Sequence, residues 1–156
     1  FENLKNEYRV IVLDDECLYS YKKEKPVIIG DGKKTINEYL NELKIEKPDQ
    51  NLNLEYVPKQ GEKVELNWKF NLSGGAFPMK IDDKKTKLEV EKIALLASKA
   101  INIRFASVDI VETIDGKFKV MEVNATVCMN KFSKMFENGY QIAKEIYKKA
   151  LIKCFE

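Results

Sequence analysis

Polar and apolar residues alternate along residues 7–13, EYRVIVL, placing Tyr8, Val10 and Val12 on one face and Arg9, Ile11 and Leu13 on the other. A period of two is the signature of a strand. Asp14-Asp15 interrupts the run and residues 16–21, ECLYSY, resume it, which predicts a hairpin. Thr35 and Glu38 stand at capping-box spacing ahead of a short helix over residues 36–43, burying Ile36, Tyr39 or Leu40, and Leu43. Residues 44–53 are polar with one proline and read as a surface excursion. Residues 54–57 and 64–70 are predicted as strands flanking a turn at residues 58–63. Val90, Ile93, Ala94, Ala97, Ala100 and Ile101 form one stripe of a helix over residues 87–101. Phe136, Tyr140, Ala143, Tyr147, Ala150 and Cys154 do the same for a long helix over residues 131–155, with a break at Asn138-Gly139. With a third hairpin at residues 106–124, the order is hairpin, helix, three times over. It predicts an α+β fold with helices packed on a mainly antiparallel sheet.

That third hairpin, ASVDIVETIDGKFKVMEVN, carries the candidate chemistry. Asp-Gly between alternating apolar residues is a strong signal for a two-residue type I′ turn. With Asp115-Gly116 as the whole loop, Ile114 faces Lys117, Asp109 faces Glu122, and Ser107 faces Asn124. Opposed side chains have Cβ atoms roughly 5 Å apart, where like charges are unfavourable. Two carboxylates and an amide oxygen on one face therefore describe a seat for a hard divalent cation, Mg²⁺ rather than Ca²⁺. A solvated face bearing two acids competes with this. Val108, Ile110, Val120, Met121 and Val123 count against it, because they make the hairpin apolar on both faces, as in a buried central pair.

Composition narrows the chemistry. The 156 residues suit one domain, residues 1–156, and 44% hydrophobic with 33% charged residues is ordinary for a soluble globular chain. A net charge of +2, from 27 basic and 25 acidic residues, gives no electrostatic case for nucleic acid or membrane surfaces. No apolar run reaches the roughly 18–20 residues of a membrane span. Cys17, Cys128 and Cys154 lack metal-ligand spacing and read as reduced thiols of a cytoplasmic protein, with neither disulfide nor zinc expected. There is no histidine, which removes His-assisted nucleophilic catalysis. Arg9 on an apolar strand face requires an anion, either a carboxylate of the fold or a phosphate. Lys22, Lys23 and Lys25 read as a solvated run. Asn71-Leu72-Ser73-Gly74-Gly75 can form an amide nest for an anion, although most Gly-Gly pairs are only turns.

Three separated motifs together resemble one family. EYRVIVLDDECLYSYKKEKPVIIGDGKKTINEYL, NLSGGA and SVDIVETIDGKFKVMEVN resemble the C-terminal half of ATP-grasp ligases, nearest to carboxylate–amine ligases of the glutathione synthetase, ribosomal-protein glutamate ligase and cyanophycin synthetase group. The resemblance implies that Asp109, Glu122 and Asn124 hold two Mg²⁺ ions, with Mn²⁺ as a substitute, against the phosphates of ATP. It places Arg9 at phosphate or the acyl phosphate, and Lys23 where relatives carry a second Arg. Asn71, Ser73, Gly74 and Gly75 match a loop near the acyl phosphate and acceptor, and Met121 matches a residue beneath adenine. After EVN, Ala125-Thr126-Val127-Cys128 replaces the Pro and Gly usual there.

The implied function is peptide-bond formation between a small-molecule or peptide carboxylate and an amine acceptor, through an acyl phosphate, in a protein compatible with oligomerisation. The lid and N-terminal domains are expected to precede Phe1, so the isolated chain is expected to be inactive. A non-catalytic binding or scaffold module on the same fold is the alternative, and a plain divalent-cation site is a weaker third.

Overall fold

The computed structural model describes residues 3–45 and 48–155. In chain order the elements are β1 (Leu4–Leu13), β2 (Glu16–Glu24), β3 (Val27–Ile29), α1 (Ile36–Glu42), β4 (Lys63–Glu65), β5 (Phe77–Met79), α2 (Lys84–Ala100), β6 (Phe105–Thr113), β7 (Phe118–Asn124), α3 (Asn130–Met135) and α4 (Gly139–Lys153). The chain divides into two compact units, Phe1–Lys23 with Pro78–Glu156, and Glu24–Phe77. The predicted α+β class holds.

In the first unit the outer two hairpins share one sheet, in the order β5-β2-β1-β6-β7. β1 pairs antiparallel with β2 and β6, and β6 with β7. Tyr8, Val10 and Val12 face α2, packing with Val90, Ala94, Val108 and Ile110 into a core that excludes water. The opposite face meets the C-terminal helices through aromatic rings, with Phe132 at 4.9 Å from Tyr21 and 5.4 Å from Tyr19. α2 begins three residues before its predicted start, because Asp83 caps it by accepting from the Thr86 amide at 2.7 Å.

The C-terminal pattern is two helices, with the break at Asn138-Gly139 where expected. Phe136 is extended and Asn138 is left-handed at φ 57°. That break rotates the stripe of α4, whose buried residues are Gly139, Ala143, Ile146 and Ala150, while Tyr140 and Cys154 are exposed. Tyr147 stays half-exposed and uses its hydroxyl, which donates to the Val127 carbonyl at 2.7 Å and accepts from the Met129 amide at 3.2 Å.

The second unit has its own small core of Ile28, Ile36, Leu40 and Leu66. The capping box of α1 forms as the sequence predicts, but Leu43 is exposed. The middle hairpin does not form. Residues 54–57 have no strand, and the predicted strand over residues 64–70 shrinks to β4, whose partner is the distant β3. Pro58 and the Lys59 carbonyl instead pack against Gly30, where a Cβ would lie 2.3 Å from that carbonyl oxygen. Glu46 and Lys47, inside the predicted surface excursion, lie outside the described residues.

The β6–β7 turn also differs from its prediction. Thr113 N donates to Lys117 O at 2.9 Å, so the loop is Ile114-Asp115-Gly116, and of its residues Gly116 takes positive φ, at 78°. This is a three-residue loop closed by a left-handed glycine. A Cβ on Gly116 would meet nothing within 4 Å. Gly116→Ala is therefore expected to cost only the left-handed backbone term, about 1 kcal/mol in denaturant unfolding. A loss well beyond that would mean the turn carries more than its φ.

Candidate functional site

The candidate residues sit on the sheet face opposite α2. Register places Tyr21, Arg9, Asp109 and Glu122 side by side across β2, β1, β6 and β7. Ile11, Ser107 and Asn124 form the next row on the same face. The predicted oppositions Asp109–Glu122 and Ser107–Asn124 are both present. They arise by a different route, since a bulge at Met121 adds back the residue that the longer turn removes.

Asp109 is 2% exposed at the centre of the sheet. Arg9 grips it with both arms of the guanidinium, Nε donating to Oδ1 at 2.7 Å and Nη2 to Oδ2 at 2.6 Å. The Lys23 ammonium lies 3.0 Å from Oδ2 and also donates to Glu7 Oε1. Burial alone pushes the Asp109 carboxyl up, but the two cations outweigh it and hold it below the ordinary carboxylate value. Burial likewise opposes charge on Arg9, and Asp109 more than restores it. Asp109, a carboxylate of the fold, is thus one anion that Arg9 meets. Lys23, read from sequence as part of a solvated run, is buried at 3% exposure.

β7 corrects the expectation of a buried central pair. β6 is central and buried, but β7 is the outer strand, with Lys119, Val120, Met121 and Glu122 exposed. Glu122 makes no hydrogen bond or ion pair among the described residues, and Asn124 is half-buried two residues further on. Met121 is the unpaired residue of the bulge and is half-exposed. The loop after Asn124 is tied to α4 through Tyr147, as described above. Among the described residues no three His, Cys, Asp or Glu side chains converge as a metal cluster; the candidate set is two carboxylates and an amide.

Asn71, Ser73, Gly74 and Gly75 lie in the second unit. Leu72–Gly74 form one 3₁₀ turn, capped by Asn71 Oδ1 accepting from Ser73 N at 3.0 Å and Ser73 Oγ at 2.9 Å. The amides of Gly74 and Ala76 both donate to the Asn71 carbonyl. Three of the amides available to a nest are therefore already committed within the loop. Gly75 is required for another reason, since its φ is 96° and a Cβ would lie 2.9 Å from Ile45 Cγ1.

One buried ionisable residue in this cluster is not marked by the sequence pattern. Glu7 lies directly across from Lys23 and is 6% exposed. The signal was its spacing of two from Arg9, but a bulge in β2 hides which lysine it meets. Val12 faces Cys17 while Ile11 faces Tyr19, so Leu18 is the extra residue, and every β2 side chain beyond it moves to the other face.

Comparison with known proteins agrees with this architecture. The tetrahydromethanopterin:alpha-L-glutamate ligase of Methanocaldococcus jannaschii is 39% identical over 71 residues, 46% of this chain and 23% of that protein. The glutathione biosynthesis bifunctional protein GshAB of Clostridium perfringens is 27% identical over 128 residues, 67% of this chain and 16% of that protein. The chain thus spans less than a quarter of either curated relative. A crystal structure of a bifunctional glutathione synthetase from Pasteurella multocida superposes on 94% of the chain and 24% of its own, with TM-score 0.59 and 18% identity, which speaks for the fold. No helix among the described residues is long and apolar enough to cross a membrane. The model of the RimK-like ATP-grasp domain matches residues 59–150, more than half of the sequence, and the chain belongs to that RimK-like ATP-grasp family.

Proposed function

We propose that this chain is the metal- and phosphate-facing part of a longer ATP- and Mg²⁺-dependent ligase joining a carboxylate to an amine through an acyl phosphate. The observation that carries this is the cross-strand row Arg9, Asp109, Glu122 with Asn124 beside it. Three hard oxygen donors and no thiolate or imidazole on one face suit Mg²⁺ chemically. Asp109, Glu122 and Asn124 would hold the ions, whose bound charge offsets that of the phosphates. Arg9 and Lys23 are the cations on hand for the transferring phosphoryl group. Asn71, Ser73, Gly74 and Gly75 would shape the acceptor side and Met121 the nucleotide base. A substrate carboxylate oxygen attacks the γ-phosphorus, the bond to the β-phosphate bridge oxygen breaks, and ADP leaves. The amine nitrogen then attacks the acyl carbon, loses a proton, and inorganic phosphate departs. No side-chain nucleophile is needed, which suits a chain without histidine.

The full-length protein, given ATP, Mg²⁺ and a panel of amino-acid carboxylates, is expected to form a hydroxamate with hydroxylamine, one per ADP. ADP release that ignores the carboxylate, or no ATP consumption at all, overturns the proposal. The second outcome favours a scaffold module, for which the internally paired Arg9–Asp109 cluster is the supporting observation.

A further inference from the structure

Glu7 has no part in the chemistry just described, yet it is buried in contact with Lys23. Burial pushes its carboxyl above the ordinary value despite Lys23 pulling it down. A carboxyl with a raised folded-state pKa contributes stability at low pH and loses it as pH rises through that value. That low-pH contribution does not explain why Glu7 stands beside Lys23.

Its geometry suggests what does. Lys23 starts on β2, spans β1, and brings one ammonium to Glu7 on β1 and to Asp109 on β6. By formal charge Arg9 and Lys23 together balance Glu7 and Asp109. Without Glu7, an uncompensated positive charge would bear on the carboxylate that faces Glu122.

Resting on the function proposed above, we infer that Glu7 is a positioning residue, which shares Lys23 with Asp109 and so keeps the Asp109–Glu122 pair able to accept a divalent cation. Metal affinity and phosphate affinity then respond to Glu7 with opposite sign. A residue that merely supported the fold would move both the same way, together with stability.

The test uses the full-length protein with Mn²⁺ bound counted by electron paramagnetic resonance, with and without ADP, and metal-free ADP binding measured separately. Glu7→Gln, near in shape and neutral, is expected to weaken Mn²⁺ binding on the order of tenfold. Metal-free ADP should bind as well or better. Glu7→Gln with Lys23→Met restores neutrality, and Mn²⁺ affinity should return to within about threefold of the parent, a non-additive recovery. Unchanged Mn²⁺ affinity in Glu7→Gln, or parallel loss of Mn²⁺ and ADP with no recovery in the double variant, overturns the inference. An unaltered protein that binds no Mn²⁺ in either condition removes the metal site itself, which is a distinguishable failure.

Discussion

Replacing Asp109 by asparagine is expected to cost about 3–5 kcal/mol of folding stability, whatever it does to catalysis. The amide keeps the shape of the carboxylate and loses its charge. Arg9 would then point both guanidinium arms at a neutral group, and buried Lys23 would keep Glu7 as its one anion. Breaking one side of a buried pair leaves the other side desolvated and uncompensated, which costs far more than the pair itself contributes. Denaturant unfolding of the parent and variant measures this directly. A double change, Arg9→Met with Asp109→Leu, is expected to recover part of the loss, because apolar side chains replace an ion pair with little net cost. Acid supplies the same test without mutation. Asp109 has a depressed folded-state pKa, so its stabilisation is full above the ordinary carboxylate range and disappears as pH falls through the depressed value. A variant as stable as the parent would show that Arg9 and Lys23 find other partners.

The elements legible in the sequence are those whose causes are local. The alternation of β1, the Thr35–Glu38 capping box and the apolar stripe of α2 each lie within a few residues of what they specify. The local pattern misleads where one added residue changes which way everything beyond it points. The bulge at Leu18 turned Lys23 inward, and left-handed Asn138 rotated the stripe of α4. At Met121 a bulge offsets the extra turn residue, so the Asp109–Glu122 opposition holds although the loop has three residues. Residues 54–57 have strand composition, but β3 had already taken β4 as its partner, and long-range pairing leaves little trace in a short window. Solvation was the hardest property to read. Apolar residues suggested that β7 is buried, whereas Val120 and Met121 are 41% and 51% exposed on an outer strand.

That exposure makes Glu122 the better instrument for testing the proposed metal site. Glu122→Gln in the full-length protein is expected to lower kcat/KM at least 10²-fold, the scale on which removing a single group that stabilises transition-state charge is felt. Stability should stay within about 0.5 kcal/mol, since Glu122 is exposed and has no hydrogen-bond or ion-pair partner among the described residues. Asp109 cannot give this separation, because Arg9 and Lys23 tie its charge to the fold. If Glu122 helps to hold Mg²⁺, part of the lost activity should return at high Mg²⁺, as weaker affinity is offset by concentration. A Gln variant with full activity at limiting Mg²⁺ would reduce Glu122 to a solvated acid on an edge strand, and leave Asp109 explained by its ion pairs alone.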